Sequence, residues 1–207
     1  MNARPRGDRT TAEHEAAHAV LTVLCGWLVG RLTISPPKNA NPAARQYWPG
    51  NPWGLCESFP PTDPFHQIHT SPFADFIGRA AGMAWECLDG THEPWTGTPD
   101  QGGYRDDDWL EAIDAAQGVM RHPLVAASIL AVADALESRK SGTIYGTTVE
   151  KIMLKTGLLV KAPCRRCAGS GRCQIPGTDR IDCCLTCHGS TTGLAICDDD
   201  GILAAVA

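Results

Sequence analysis

Apolar positions in this chain fall into two kinds of pattern, separated by a proline-rich stretch. Residues 11–28 carry an almost unbroken apolar series (Ala16, Ala17, Ala19, Val20, Leu21, Val23, Leu24), which predicts a buried helix ending near Gly26 or Gly30. The alternating, β-branched segment 29–34 predicts a strand stopped by Pro36-Pro37. Nine of the fifteen prolines lie between Pro36 and Pro72, so that region is read as loop with short edge strands such as 54–58. Helical spacing returns over 73–88, where Gly78 and Gly82, four apart, would let another helix approach closely. A Gly/Pro/Thr loop over 89–103 then leads to amphipathic helices over 109–120, 124–138 and 147–154. The stripe of Trp109, Leu110, Ile113, Ala116, Val119 and Met120 is read as core and is assigned no chemistry. Residues 163–193 are dense in Cys and Gly and have no regular period.

The first helix carries chemistry. His14-Glu15-Ala16-Ala17-His18 is an H-E-x-x-H string. Histidines four apart share one helix face, about 5–6 Å apart at Cβ, so both imidazoles reach one zinc ion. Glu15 projects close to that face, where it is placed to act as a general base. Polar side chains on a largely apolar helix need partners, and a metal is one. Thr10-Thr11-Ala12-Glu13 reads as a capping box opening the helix.

Composition narrows the class. A chain of 207 residues, 43% hydrophobic and 20% charged, can build one sizeable core or a main domain with an appendage. A net charge of −5 gives no general nucleic-acid character. The longest apolar run, Ala16 to Gly30, is interrupted by His18 and too short to cross a bilayer, so the expected compartment is the cytoplasm, with no membrane partner. Cys25, Cys56 and Cys87 are expected to be plain buried thiols. The other seven cysteines fall between Cys164 and Cys197. Cys164-x-x-Cys167 and Cys184-x-x-Cys187, sixteen residues apart, have the spacing of a tetrahedral structural zinc site. Cys173 and Cys183 are the alternative ligands. Basic residues around these cysteines (Lys161, Arg165, Arg166, Arg172, Arg180) have no interleaved aromatic platform and are read as a solvated face.

A catalytic zinc needs a third protein ligand. By residue type the candidates are His66, His69, Asp75, Glu86, His92 and the run Asp106–Asp108, and spacing does not choose among them. The bland reading of that run is an acidic helix start.

Four blocks resemble, in order, the FtsH-type zinc peptidases. Ala12-Glu13-His14-Glu15-Ala16-Ala17-His18-Ala19 is similar to that family's zinc helix, and 29–36 to the strand after it. Gly78-Arg79-Ala80-Ala81 with Glu86 resembles its G-G-R-A-A-E helix. Gly102 to Ala112 resembles its T-G-A-x-N-D-L segment, and 135–152 its last two helices. The resemblance covers about residues 10–155 and implies that Asp108 is the third zinc ligand. Ala17 stands where the family has Gly, and Asp107 where it has Asn. The 207 residues contain no G-x-x-x-x-G-K-[ST] phosphate loop, so the resemblance is to the peptidase half alone. The glycines after each cysteine pair (Gly169, Gly171; Gly189, Gly193) make the C-terminal segment similar to the C-x-x-C-x-G-x-G units of DnaJ-type zinc fingers.

The expected fold is mainly α with a small β-sheet: an FtsH-peptidase-like helical domain over 1–157 and a zinc-stapled module and tail over 158–207. The expected activity is ATP-independent zinc endopeptidase chemistry on unfolded protein or peptide. Two zinc ions are expected, one catalytic (His14, His18, Asp108, with Glu15 as base) and one structural (Cys164, Cys167, Cys184, Cys187). A separate ATPase or adaptor partner and homo-oligomerisation stay open. The alternatives are a non-catalytic zinc-binding adaptor and a nucleic-acid-binding protein using the cysteine knuckles. The intact Glu15 argues against a scaffold, which has no need of a base between its ligands.

Overall fold

The computed structural model describes residues 9–35, 54–59, 74–88, 90, 94, 100–164, 167–174, 179–183 and 192–196. Among the described residues, five helices and seven short strands follow in the order α1 (Arg9–Leu24), β1 (Leu28–Thr33), β2 (Leu55–Phe59), α2 (Ala74–Cys87), α3 (Asp106–Met120), α4 (Pro123–Ser138), β3 (Thr143–Tyr145), α5 (Gly146–Thr156), β4 (Leu159–Pro163), β5 (Arg172–Gln174), β6 (Ile181–Cys183) and β7 (Thr192–Ile196). The architecture is mainly helical with small antiparallel sheets, as the periodicity predicts.

Helix α1 runs through the middle of the molecule. Ala12, Ala16, Ala17, Ala19, Val20 and Leu21 are fully buried, and α2, α4, α5, β1 and β2 all pack on it. The small side chains allow this: a helix covered on most sides must let several neighbours approach its backbone. It stops at Cys25-Gly26, where Gly26 takes a positive φ of 79°, a conformation that favours glycine. The helix is therefore shorter at its C-terminus than its apolar run suggests. The expected capping box is corrected: Thr10 and Thr11 lie inside the helix, and Glu13 instead accepts from Trp85 Nε1 at 2.9 Å and pairs with Arg9. Arg9 also bridges to Glu137 at 2.8 Å and to Asp134, tying the start of α1 to α4.

The three-stranded sheet has the order β2-β1-β3, all antiparallel, with β2 at an edge. Leu32 of β1 faces Ile144 of β3 on the buried side, and Arg31 pairs with Glu57 at 2.7 Å on the other. Val29 and Leu32 flank a register shift against β2, and β2 also packs on α1.

One core joins the five helices, the three-stranded sheet and the β4–β7 pair. Trp109, Met120, Ile129, Leu136, Met153 and Leu158 are almost wholly buried in it, and the stripe on α3 is core as expected except for Leu110, which is exposed. The core continues past the expected domain boundary: Leu158 and Leu159 belong to it and Ile196 of β7 packs against it, so the base of the C-terminal module is rooted there. Among the described residues no single helix is long and apolar enough to cross a membrane.

Candidate metal centre

His14 and His18 sit one turn apart on α1 with ring centroids 4.8 Å apart and planes at 69°. Each ring is fixed from its far side by α2. His14 Nδ1 lies 2.8 Å from Glu86 Oε1, and His18 Nδ1 lies 2.8 Å from the Gly78 carbonyl oxygen. Both partners are acceptors, so each Nδ1 carries the proton and donates it. In its neutral form each imidazole then presents an Nε2 lone pair, and the two Nε2 atoms face one another at 3.1 Å. Two lone pairs aimed at one point repel unless a cation or a proton lies between them. This outer arrangement, an Nδ1–H held by carboxylate or carbonyl with Nε2 turned inward, is the one that metal-ligating histidines use.

The acid that completes the group is Asp100. Its Oδ2 lies 3.4 Å from His14 Nε2 and 3.7 Å from His18 Nε2. One ligand atom from each of the three residues falls within 4.8 Å of the others, the only such group of three among the described residues. Asp108, the acid that the family resemblance implies, is not part of that group. Asp108 lies in the first turn of α3 beside Asp106 and Asp107, an acidic run at a helix N-terminus where the dipole favours negative charge. The chain reaches the histidines eight residues earlier, from the turn that precedes the helix. Of the other sequence candidates, Glu86 orients His14, while His66, His69, His92 and the side chain of Asp75 lie outside the described residues.

Two glycines make room for the site. A Cβ on Gly82 of α2 would stand 2.3 Å from the His14 ring, and one on Gly54, just before β2, would stand 2.1 Å from Glu15 Oε1. The pair Gly78/Gly82 does let α2 approach α1, and the structure adds a purpose: Gly82 admits the imidazole and the Gly78 carbonyl holds its neighbour. Gly54 carries no such signal in sequence, and neither does Asp100, which falls in a segment that reads simply as loop.

Glu15 is buried beside the pair, and its carboxylate accepts no hydrogen bond among the described residues. Burial pushes its pKa up, against the opposing pull of His18 and His14. Burial also works against protonation of His14, but hydrogen bonds to Asp100 and Glu86 outweigh it and raise that imidazole to about 10. His18 is raised as well: desolvation is overcome by its hydrogen bond to Asp100. Desolvation opposes ionisation of Asp100 too, yet the two histidines hold it well below the usual carboxylate range. The polar cluster is thus a site short of positive charge.

The group opens into a cleft of about 220 Å³. Glu15, His18 and Asp100 line it together with Leu55, Cys56 and Ser58 of β2, and Trp27 and Arg79 are among its other lining residues. Cys56 packs against the core and also lines the cleft; burial raises its pKa, with Glu15 and Glu57 adding to the effect. Cys25 and Cys87 are buried as expected.

In the cysteine module, Cys164 and Cys167 are buried with Cys173 packed against them. The backbone N–H of Gly171 donates to Cys167 Sγ at 3.2 Å, and the turn that allows this uses positive φ at Ala168 and Gly169. Cys173 and Cys183 lie on the β5–β6 hairpin, opposite Asp182 and Arg172 respectively. Cys184 and Cys187 lie outside the described residues.

No protein family, curated protein or solved structure matches this chain.

Proposed function

We propose that this chain is an ATP-independent zinc metallopeptidase of the FtsH-peptidase type, with His14, His18 and Asp100 as the metal ligands and Glu15 as general base. The observation that carries the reading is the convergence of two Nε2 lone pairs and a carboxylate oxygen on one point beside a buried glutamate that accepts no hydrogen bond among the described residues. Two imidazoles and one carboxylate are the donor set of a hydrolytic zinc site that keeps a position open. A zinc ion bound there supplies Lewis acidity, lowering the pKa of a coordinated water and polarising a carbonyl.

The chain's own residues do the rest. Glu15 takes the proton from the attacking water and returns it to the leaving amine, a role that its raised pKa suits. Glu86 and the Gly78 carbonyl keep both imidazoles in the tautomer that leaves Nε2 unprotonated. The edge strand β2 flanks the cleft and offers backbone groups to an extended peptide, which supports unfolded protein or peptide as substrate. In the C-terminal module a second, structural zinc would be held by Cys164, Cys167, Cys184 and Cys187; the Gly171 N–H donated to Cys167 supports a thiolate there.

The test is hydrolysis of unfolded casein by wild type and Glu15→Gln, with zinc content measured on both. Zinc retained in both and activity reduced by at least about 100-fold in the variant is the expected result. Equal activity in the two proteins defeats the mechanism.

A further inference from the structure

Asp100 has no helix or strand to hold it, and a metal ligand on a turn needs something else to fix its position. The adjacent residue supplies it. Gln101 is only 5% exposed, unusual for an amide side chain in a turn. Its Nε2 donates to the Tyr104 carbonyl at 3.0 Å and to Asp106 Oδ1 at 2.9 Å, so both amide hydrogens are used. The backbone closes the same turn, with Tyr104 N–H donating to the Gln101 carbonyl at 3.2 Å and Gly102 at a positive φ of 64°. The Tyr104 ring packs edge-on against Phe76 of α2, at 4.3 Å between centroids. The turn is thereby pinned at one end to α3 and at the other to α2, the helix that orients both histidines.

We infer that Gln101 is a positioning residue, a buried amide clamp that uses the Asp106 carboxylate to set Asp100 against the two imidazoles. This rests on the metal-centre reading above. It also gives Asp106 a purpose distinct from its neighbours: an anchor, where Asp107 and Asp108 are only the acidic start of a helix. Partners one step removed from a metal are worth about 10- to 100-fold in metal affinity.

The test is zinc affinity, measured by competition with a chromophoric chelator and restricted to the zinc that wild type takes up and His14→Ala does not, which sets aside metal bound by the cysteines. Gln101→Leu, which keeps volume and removes both donors, is expected to weaken that zinc by about 10- to 100-fold. Asp106 is exposed, so its variants do not threaten the fold. Asp106→Ala is expected to weaken binding by about tenfold, while Asp106→Asn, which keeps an acceptor oxygen, stays near wild type. Wild-type affinity in Gln101→Leu, or equal affinities for Asp106→Ala and Asp106→Asn, overturns the inference alone. Equal zinc uptake by wild type and His14→Ala overturns the metal centre and this inference with it.

Discussion

The Nε2 atoms of His14 and His18 stand 3.1 Å apart with both Nδ1 positions committed to acceptors, Glu86 for one and Gly78 for the other. That relationship defines the site. A buried pair of imidazoles forced to aim lone pairs at each other is stable only with a cation or extra protons between them, and Asp100 adds negative charge on the open side.

Protons and metal therefore compete for the same place. Without metal, His14 titrates near about 10, so it is charged at neutral pH, and His18 is shifted in the same direction. Zinc uptake must displace those protons, so apparent affinity is expected to rise from about pH 6 to about pH 8, with protons released on binding. Calorimetry in buffers of different ionisation enthalpy counts them. In the metal-free protein the sign is opposite. The folded pKa of His14 lies above its unfolded value, so the stability it contributes is complete below about pH 6.5 and is lost as pH rises through about 10.

The choice between the two acids is directly testable. Asp100→Ala is expected to abolish the zinc that depends on His14, and Asp108→Ala to leave it in place. Metal analysis of the purified variants decides. Retained zinc in the first and lost zinc in the second restores the assignment that the family resemblance implies.

Gly82→Ala places a methyl group 2.3 Å from the His14 ring. In an exposed helix this substitution adds about 1 kcal/mol of helix stability, so helicity should be kept. The ring must move instead, and zinc content should fall while the far-ultraviolet circular dichroism stays unchanged.

Gly54→Ala presses on a different group. Its methyl meets Glu15 Oε1 at 2.1 Å, not a ligand. Peptide hydrolysis should drop by about 100-fold or more, the scale of a lost general base, with zinc content preserved. The two glycine variants thus separate metal binding from proton transfer.

The core makes its own prediction. Trp109 on α3 is fully buried, and Trp109→Ala should cost about 3–5 kcal/mol, read as a lower denaturant midpoint. Loss of zinc is not expected at temperatures where the variant stays folded, because Trp109 contributes no ligand.

The sequence alone determined several elements nearly to their ends, because periodicity is a local property: 73–88 became Ala74–Cys87, 124–138 became Pro123–Ser138, and 29–34 became Leu28–Thr33, whereas α1 ends four residues before the expected 28 and the short strands β3 to β7 are legible only in the structure. It also determined that His14, Glu15 and His18 share a site, since four residues is one helical turn. Tertiary structure alone decided the third acid. Asp100 reaches the histidines through a turn held by Gln101 and docked on α2, and nothing in the local pattern of a Gly/Pro/Thr loop encodes that distance. The same holds for Gly54, which is required only because a strand from a proline-rich stretch crosses directly over Glu15. Spacing along one helix is set by covalent geometry, whereas the approach of separate segments is set by packing, and packing is a property of the whole chain.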